Sequence, residues 1–336
     1  LKKRVLITGA NGFIGSHLCE YFDRRGWKVF GVCRKTSDLH FLEGINVTRI
    51  TGDLLDPGEI EFPENLDVLI HNAAVADDNA SARECREGIF TLTRRLVEAV
   101  KSLRIRRFVY ISSGLTLGYC REDISEDHPG KCTRSLPYAR FKKETEDYLM
   151  ALHQEEGFPV VILRPGDVYG PRDRTSCLAM LDGLTGGVPM IVGDGKTRFA
   201  YCYVGNLAQA AFLAATGKDL NGKAFTVTNG GGLTWGEFFG GFYRELGKRQ
   251  RVRVPGSMMY LIARVNQLIA GLFPGYKPSV NLYRYRRTVR NTTYDIRRTI
   301  EELGYRPDTD VHEQIRKIVE WYLREKKHRV QNKAKA

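Results

Sequence analysis

The chain predicts an α/β protein built on a doubly wound parallel sheet, with a smaller, mainly helical C-terminal domain. Three observations predict it. Short apolar, β-branched runs alternate with helical periodicity over the first two-thirds of the chain. The first run leads directly into glycines at three-residue spacing, Gly9, Gly12 and Gly15. Beyond about residue 230 the strand signal gives way to helical sequence.

Val5, Leu6 and Ile7 form the first buried strand, and Phe13, Ile14, Leu18, Tyr21 and Phe22 then recur at helical intervals. Strand, glycine turn and helix aim backbone N–H groups and a helix N-terminus at a phosphate. Gly9 permits the tight turn, Gly12 the close approach of a pyrophosphate, and Gly15 close packing of helix on strand. Because both flanks have the required character, the turn predicts dinucleotide binding.

Residues 28–32 read as a second strand, ending in Val32-Cys33-Arg34-Lys35. An acid at that point would bind the adenine ribose hydroxyls; two cations suit a 2′-phosphate, so NADP is preferred and NAD is the alternative. A third strand, 46–50, runs into Gly52-Asp53-Leu54. Asp53 suits a hydrogen bond from the adenine amino group, or else caps the following turn. Residues 68–70 form a fourth strand ending in His71-Asn72-Ala73-Ala74. Small Ala73 and Ala74 let the backbone lie against a flat cofactor, and His71 is expected to be packed rather than catalytic.

A helix over 81–103 leads to a fifth strand, 108–111, and 160–163 supplies another. Residues 201–204 with the helix 205–216 read as a return to the sheet, and 225–228 as its last strand. The expected division is a Rossmann dinucleotide-binding domain of 1–165 with 197–229. A substrate-binding domain of 166–196 with 230–323 and a basic flexible tail of 324–336 complete it.

With 336 residues and 42% hydrophobic content, the chain has ample core. No stretch approaches the ~18–20 uncharged apolar residues of a bilayer span, so no integral membrane segment is expected. Residues 258–273 are apolar but interrupted by Arg264, Asn266 and Gln267. A helix covering the substrate cleft is the simpler expectation there, and docking on a membrane surface the alternative. Lys2-Lys3-Arg4 precedes the first strand directly, so no signal peptide is expected, and seven scattered cysteines offer no metal-ligand spacing. A cytoplasmic protein without a metal is expected.

The formal net charge is +13. Part of it lies in 324–336, where six Lys/Arg and one Glu give +5. Another part is Arg284, Arg286, Arg287, Arg290, Arg297 and Arg298, interleaved with Tyr283, Tyr285 and Tyr294. No nucleic-acid motif accompanies these cations, so a solvated surface is expected, with an anionic substrate or acidic membrane surface next and nucleic acid not expected.

The catalytic candidates follow the fifth strand. Tyr110-Ile111-Ser112-Ser113-Gly114 ends it, and 25 residues past Ser113 lies Tyr138-Ala139-Arg140-Phe141-Lys142. Pro137 suits the first turn of a helix that projects Tyr138 and Lys142 from one face. A free tyrosine with pKa ~10 is a poor base. A nearby ammonium, with a positive nicotinamide ring, favours phenolate and moves Tyr138 toward a useful range. Lys142 suits the nicotinamide ribose hydroxyls, and Ser113 suits orienting the substrate oxygen.

These motifs give the chain a resemblance to extended short-chain dehydrogenases/reductases, the NAD(P)-dependent epimerase/dehydratase superfamily. It is carried by T-G-A-N-G-F-I-G from Thr8, G-D-L from Gly52, H-N-A-A from His71 and S-S-G from Ser112. Y-A-R-F-K from Tyr138, L-R-P-G-D-V-Y-G-P-R from Leu163, Y-V-G-N-L-A from Tyr203 and E-L-G-Y-R-P from Glu302 extend it along nearly the whole chain. The resemblance implies a catalytic Ser113, Tyr138 and Lys142. It also implies a cofactor site of Gly9, Asn11, Gly12, Phe13, Ile14, Gly15, Arg34, Asp53, Leu54, Ala73, Ala74, Tyr138, Lys142 and Pro165.

V-C-R-K-T-S-D-L from Val32 resembles the dihydroflavonol-reductase-like and hydroxysteroid-dehydrogenase-like branches, in several of which an arginine placed like Arg34 goes with NADP. Sugar-nucleotide enzymes commonly have Asn where this chain has Asp167, whose carboxylate would repel a diphosphate unless Arg172 or Arg174 neutralised it. Ile89 likewise replaces an active-site-supporting Asn. Against this, G-D-G-K-T-R from Gly193 resembles the sugar-nucleotide enzymes, implying a diphosphate contact for Arg198. The expected activity is NAD(P)-dependent interconversion of a secondary alcohol and ketone. Nucleotide-sugar epimerisation is the alternative, and a non-catalytic dinucleotide sensor the more distant one. The expected substrate is a hydrophobic alcohol or ketone, or else a nucleotide sugar. A homodimer through the Tyr138 helix and the Ser81 region is implied by resemblance.

Overall fold

The computed structural model describes residues 2–127, 136–249, 252–273 and 275–333. The first half alternates β1 (Arg4–Thr8), α1 (Phe13–Asp23), β2 (Lys28–Cys33), β3 (Val47–Thr51) and β4 (Val68–His71). There follow α2 (Ala82–Cys85), α3 (Leu92–Val100), β5 (Arg107–Ile111), α4 (Pro137–Glu156) and β6 (Val160–Pro165). The chain then passes through β7 (Asp167–Tyr169), α5 (Cys177–Thr185), β8 (Arg198–Phe199), β9 (Tyr201–Tyr203), α6 (Val204–Thr216) and β10 (Lys223–Val227). It ends in β11 (Leu233–Thr234), α7 (Trp235–Glu245), α8 (Gly256–Leu272), α9 (Leu282–Val289), α10 (Arg297–Leu303) and α11 (Val311–Lys333).

Seven strands form one parallel sheet in the order β10-β6-β5-β4-β1-β2-β3. Strand side chains alternate between two cores, as the pleat requires. Val5, Ile7, Val29, Ile70, Val109 and Val161 pack with α1 and α6, whereas Leu6, Phe30, Leu69, Phe108 and Ile162 pack with α3 and α4. The strand order reverses between β1 and β4, which opens a crevice above their carboxyl ends. A third core joins Leu181 of α5, Phe238 and Phe242 of α7, and Ile318 and Tyr322 of α11 outside the sheet.

The glycine turn has the expected geometry. Gly9 adopts φ +65°, and a Cβ on Gly15 would lie 2.0 Å from the Gly9 carbonyl oxygen. His71 is fully buried between Thr8, whose Oγ1 is 2.8 Å from Nδ1, and Thr93, whose Oγ1 is 2.9 Å from Nε2. Thr93 Oγ1 donates to the Ile89 carbonyl, which assigns the ring proton to Nε2. Burial lowers the His71 pKa to about 3. The unfolded chain therefore takes up a proton near pH 6.5 that the folded one refuses, and stability present above that pH is lost as pH falls toward 3. The expected slope is about 1.4 kcal/mol per pH unit from this residue. Urea titrations between pH 7 and 5 check it: in His71→Gln the decline should be shallower, and an unchanged slope would reject the assignment.

Several elements differ from the sequence reading. Residues 201–203 do not rejoin the main sheet. β9 pairs with β7 in a separate two-stranded parallel ribbon, because Gly166 brings the chain against Ala200, where any Cβ would lie 2.2 Å from the carbonyl oxygen. The helix expected over 81–103 is broken by a π-turn, Arg86–Thr91, between α2 and α3. The basic segment from Arg324 is not frayed through Lys333 but continues α11, anchored by Ile315, Ile318, Val319 and Tyr322 and by a buried Glu325 paired with Arg174. Residues 334–336 lie outside the described residues. Finally, the apolar stretch forms α8, which is largely exposed: of its residues only Ala263 is buried.

Candidate active site

Ser113 and Tyr138 are brought together by the end of β5 and the first turn of α4. Ser113 is buried with extended backbone, and its Oγ accepts from the Leu115 N–H at 3.2 Å, capping a short turn. Pro137 opens α4, and the Tyr138 ring packs against Ala80, Cys85, Ile89 and Phe141. Burial pushes the Tyr138 phenol up to about 12, against the downward pull of its hydrogen bond with Ser113. The direction expected from a neighbouring ammonium is therefore reversed. Lys142 is itself buried, and its pKa is lowered to about 7 by desolvation against the attraction of Glu146. Its Nζ donates to the Ile111 carbonyl at 2.7 Å and lies 4.8 Å from the centre of the Tyr110 ring.

One turn further along α4, Glu146 is buried and receives four groups. Ser112 Oγ donates at 2.5 Å, Arg164 uses both Nε and Nη2, the latter at 2.8 Å, and Thr116 Oγ1, 3.1 Å away, shares its one proton between Glu146 and the Ser113 carbonyl at 2.9 Å. Glu146 thus ties β5, the turn after it and β6 to the helix carrying Tyr138 and Lys142. The sequence reading missed it; its only signal was its place four residues after Lys142.

Most of the expected cofactor residues lie at or just past the carboxyl ends of β1, β2, β3, β4 and β6. Gly12 is the N-cap of α1 and has no side chain to satisfy the first-turn N–H groups of Phe13 and Ile14. Ala73 abuts Gly9, and Thr8 Oγ1 accepts from the N–H groups of Asn72 and Ala73. Asn11 donates to the Asp38 carbonyl. Arg34 is exposed past β2, Leu54 is buried past β3, and Pro165 is the buried last residue of β6. Asp53 caps its own turn, accepting from the Leu55 N–H at 2.9 Å.

The expected substrate residue Asp167 meets a partner from far along the chain. Asp167 is paired with Arg287 of α9, not with Arg172 or Arg174. Arg172 pairs with Glu20 at 2.8 Å, and Arg174 with Asp38 and Glu325. Tyr283, one turn before Arg287, meets Tyr119 edge-on, and its electrostatic neighbours include Tyr138 and Asp167. Tyr294 is buried against Gly114 and donates to the Gly118 carbonyl at 2.8 Å. The arginine cluster is therefore largely structural: Arg284 binds Asp78 through two nitrogens, Arg297 binds Asp295, and Arg298 binds Glu302. Lys277 and Asn281 complete a tether to Asp77 and Asn79 across the cleft. Arg198 is exposed, with Glu122 3.8 Å from its Nη1.

Residues 5–228 match the family model described as the NAD dependent epimerase/dehydratase family, and the chain belongs to that family. It is an enzyme of the extended short-chain dehydrogenase/reductase type. A 3-beta-hydroxysteroid dehydrogenase of Mycolicibacterium neoaurum is 25% identical over 90% of this chain and 87% of its own. A 2-alkyl-3-oxoalkanoate reductase of Stenotrophomonas maltophilia is also 25% identical, over 94% of this chain and 98% of its own. A solved UDP-N-acetylglucosamine 4-epimerase from Methanobrevibacter ruminantium shares the fold, with a TM-score of 0.73 and 24% identity over 96% of this chain and 99% of its own.

Proposed function

We propose that the protein is an NAD(P)-dependent dehydrogenase/reductase that interconverts a secondary alcohol and a ketone on a hydrophobic substrate. The observation that carries this is the junction of Ser113, Tyr138 and Lys142: a serine hydroxyl hydrogen-bonded to a half-buried phenol, with a buried amine one turn along the same helix. Ser113 orients the substrate oxygen, Tyr138 gives or takes its proton, and Lys142 holds the ribose side of the site. The glycine turn fits a dinucleotide, since its positive φ and the side-chain-free cap of α1 leave backbone N–H groups for a phosphate. When bound, the nicotinamide supplies hydride transfer, and its ring charge in the oxidised form favours an ionised phenol.

The hydrophobic reading draws on the names of the relatives and on the substrate side itself. Glu122 beside Arg198, and Asp167 held by Arg287, are poor surroundings for a diphosphate. Incubating the purified protein with NAD or NADP and either 3-hydroxysteroids or 3-oxo acids, while following reduced cofactor by absorbance, tests the proposal. Net cofactor turnover is expected. Epimer formation from UDP-sugars without added cofactor or net redox change would overturn it in favour of the epimerase.

NADP is the proposed cofactor, on Arg34 and Lys35 at the end of β2. Arg34→Ala should raise KM for NADP by about tenfold and leave KM for NAD within about twofold, a difference of about 1.4 kcal/mol from one charge-assisted contact. Equal changes for both cofactors would remove Arg34 from the 2′-phosphate. The reading also includes a reducing, cytoplasmic setting, supported by six free cysteines among the described residues, and a homodimer through α4 and the Ser81 region.

A further inference from the structure

The outer face of α8 is an apolar surface without a partner among the described residues. Three faces are distinguishable by helical spacing. Met259, Ala263, Asn266 and Ala270 form the inner stripe, with Asn266 donating to the Val280 carbonyl at 2.9 Å. Tyr260, Arg264 and Gln267 form a polar flank, where Tyr260 meets Tyr285 of α9 at 5.4 Å. Met258, Leu261, Val265, Leu268 and Leu272 recur at three- and four-residue steps along the remaining face. They face outward: Leu261 is 63%, Leu268 66% and Leu272 73% exposed, and Phe273 continues the stripe.

The charge around this helix identifies what covers it. Between Glu245 and Asp295 the chain has ten Lys/Arg and not one Asp or Glu. Lys277, Arg284 and Arg287 are answered by acids from elsewhere, while Arg249, Arg253, Arg264, Arg286 and Arg290 are exposed. An apolar stripe set among cations is the pattern of a helix lying in the plane of an anionic bilayer, where acyl chains take the leucines and headgroups take the arginines. A second copy fits poorly, because it would set the exposed Arg249, Arg253, Arg264, Arg286 and Arg290 against their own like. Spanning is excluded for α8: among the described residues no helix is long and apolar enough to cross a membrane.

We propose that α8 docks the enzyme on the surface of an anionic phospholipid membrane by in-plane insertion of the Leu261–Leu268–Leu272 stripe. The adjoining helix α9 carries Tyr283 and Arg287, the partner of Asp167, so docking sets that helix beside the bilayer. The surface is independent of which substrate the site takes.

Sedimentation of the whole chain with vesicles of phosphatidylcholine, alone or mixed with phosphatidylserine, tests this. The protein should bind the mixed vesicles at least about tenfold better than the neutral ones, and lose that advantage in high salt. The double variant Leu261→Asp/Leu268→Asp should lose about tenfold or more on mixed vesicles. Both positions are solvent-exposed, and retained dinucleotide binding shows that the variant is folded. Equal sedimentation of wild type and variant overturns the proposal. So does a dimer seen by analytical ultracentrifugation that the double variant abolishes while neither protein binds vesicles, since the second copy would then be the occupant.

Discussion

Replacing Tyr138 by phenylalanine is expected to lower turnover about 10³-fold while dinucleotide binding is kept, the scale of losing a positioned general acid or base. The substitution removes one oxygen and keeps the ring that packs on Cys85, Ile89 and Phe141. A phenol near 12 is protonated throughout the neutral range in the free protein, which is the form that donates a proton to a ketone being reduced. For reduction, kcat/KM set by this group should be flat through neutral pH and fall only as pH rises toward 12. Oxidation, which needs the phenolate, should accelerate with pH. Steady-state rates in both directions, with calorimetric binding of the cofactor, check these signs. Turnover within tenfold of wild type in Tyr138→Phe would show that the proton takes another route.

The second large effect is expected at Glu146. Glu146→Gln should destabilise the fold by about 3 kcal/mol or more, because it leaves a buried guanidinium without its counter-charge. Arg164 is 12% and Glu146 1% exposed at the side chain, so solvent does little to screen the pair. A glutamine also presents one acceptor oxygen where the carboxylate presents two, and Ser112, Thr116 and Arg164 all compete for it. Denaturant unfolding of the variant measures the loss. Replacing both partners by apolar residues, Glu146→Leu with Arg164→Met, should recover part of it, since the unpaired charge is gone. A loss below about 1 kcal/mol in Glu146→Gln would mean that water or a neighbour already neutralises Arg164.

The parts of the molecule legible in the sequence were those with local signals. Val5 to Ile7, the glycines at 9, 12 and 15, and the Tyr138–Lys142 spacing declare themselves over a few residues, because strand, turn and helix each impose a short period. What stayed hidden depends on distant pairing. Nothing near Asp167 says that Arg287 will neutralise it, and Arg172 and Arg174 were the natural candidates only by adjacency. Glu146 looks like an ordinary helical partner for Lys142 until Ser112 and Arg164 are placed around it. The pairing of β9 with β7 follows from one close approach at Gly166, which composition does not reveal. At α8 the apolar content is plain, but the same leucines serve equally for a core, and only their exposure separates the two.

The tether of Lys277, Asn281 and Arg284 to Asp77, Asn79 and Asp78 has a consequence for how the enzyme comes into being. During synthesis, the sheet through β10 is complete before any of α9 has been made. A nascent chain at that stage already holds the glycine turn and the proposed catalytic residues Ser113, Tyr138 and Lys142, but not Tyr283 or Arg287. Tyr283 and Arg287 come later, and the three polar links join their helix and the turn before it to the first half of the chain. The contacts that join this region to Asp77, Asp78 and Asn79 thus form only when the last quarter of the polypeptide folds back over the first.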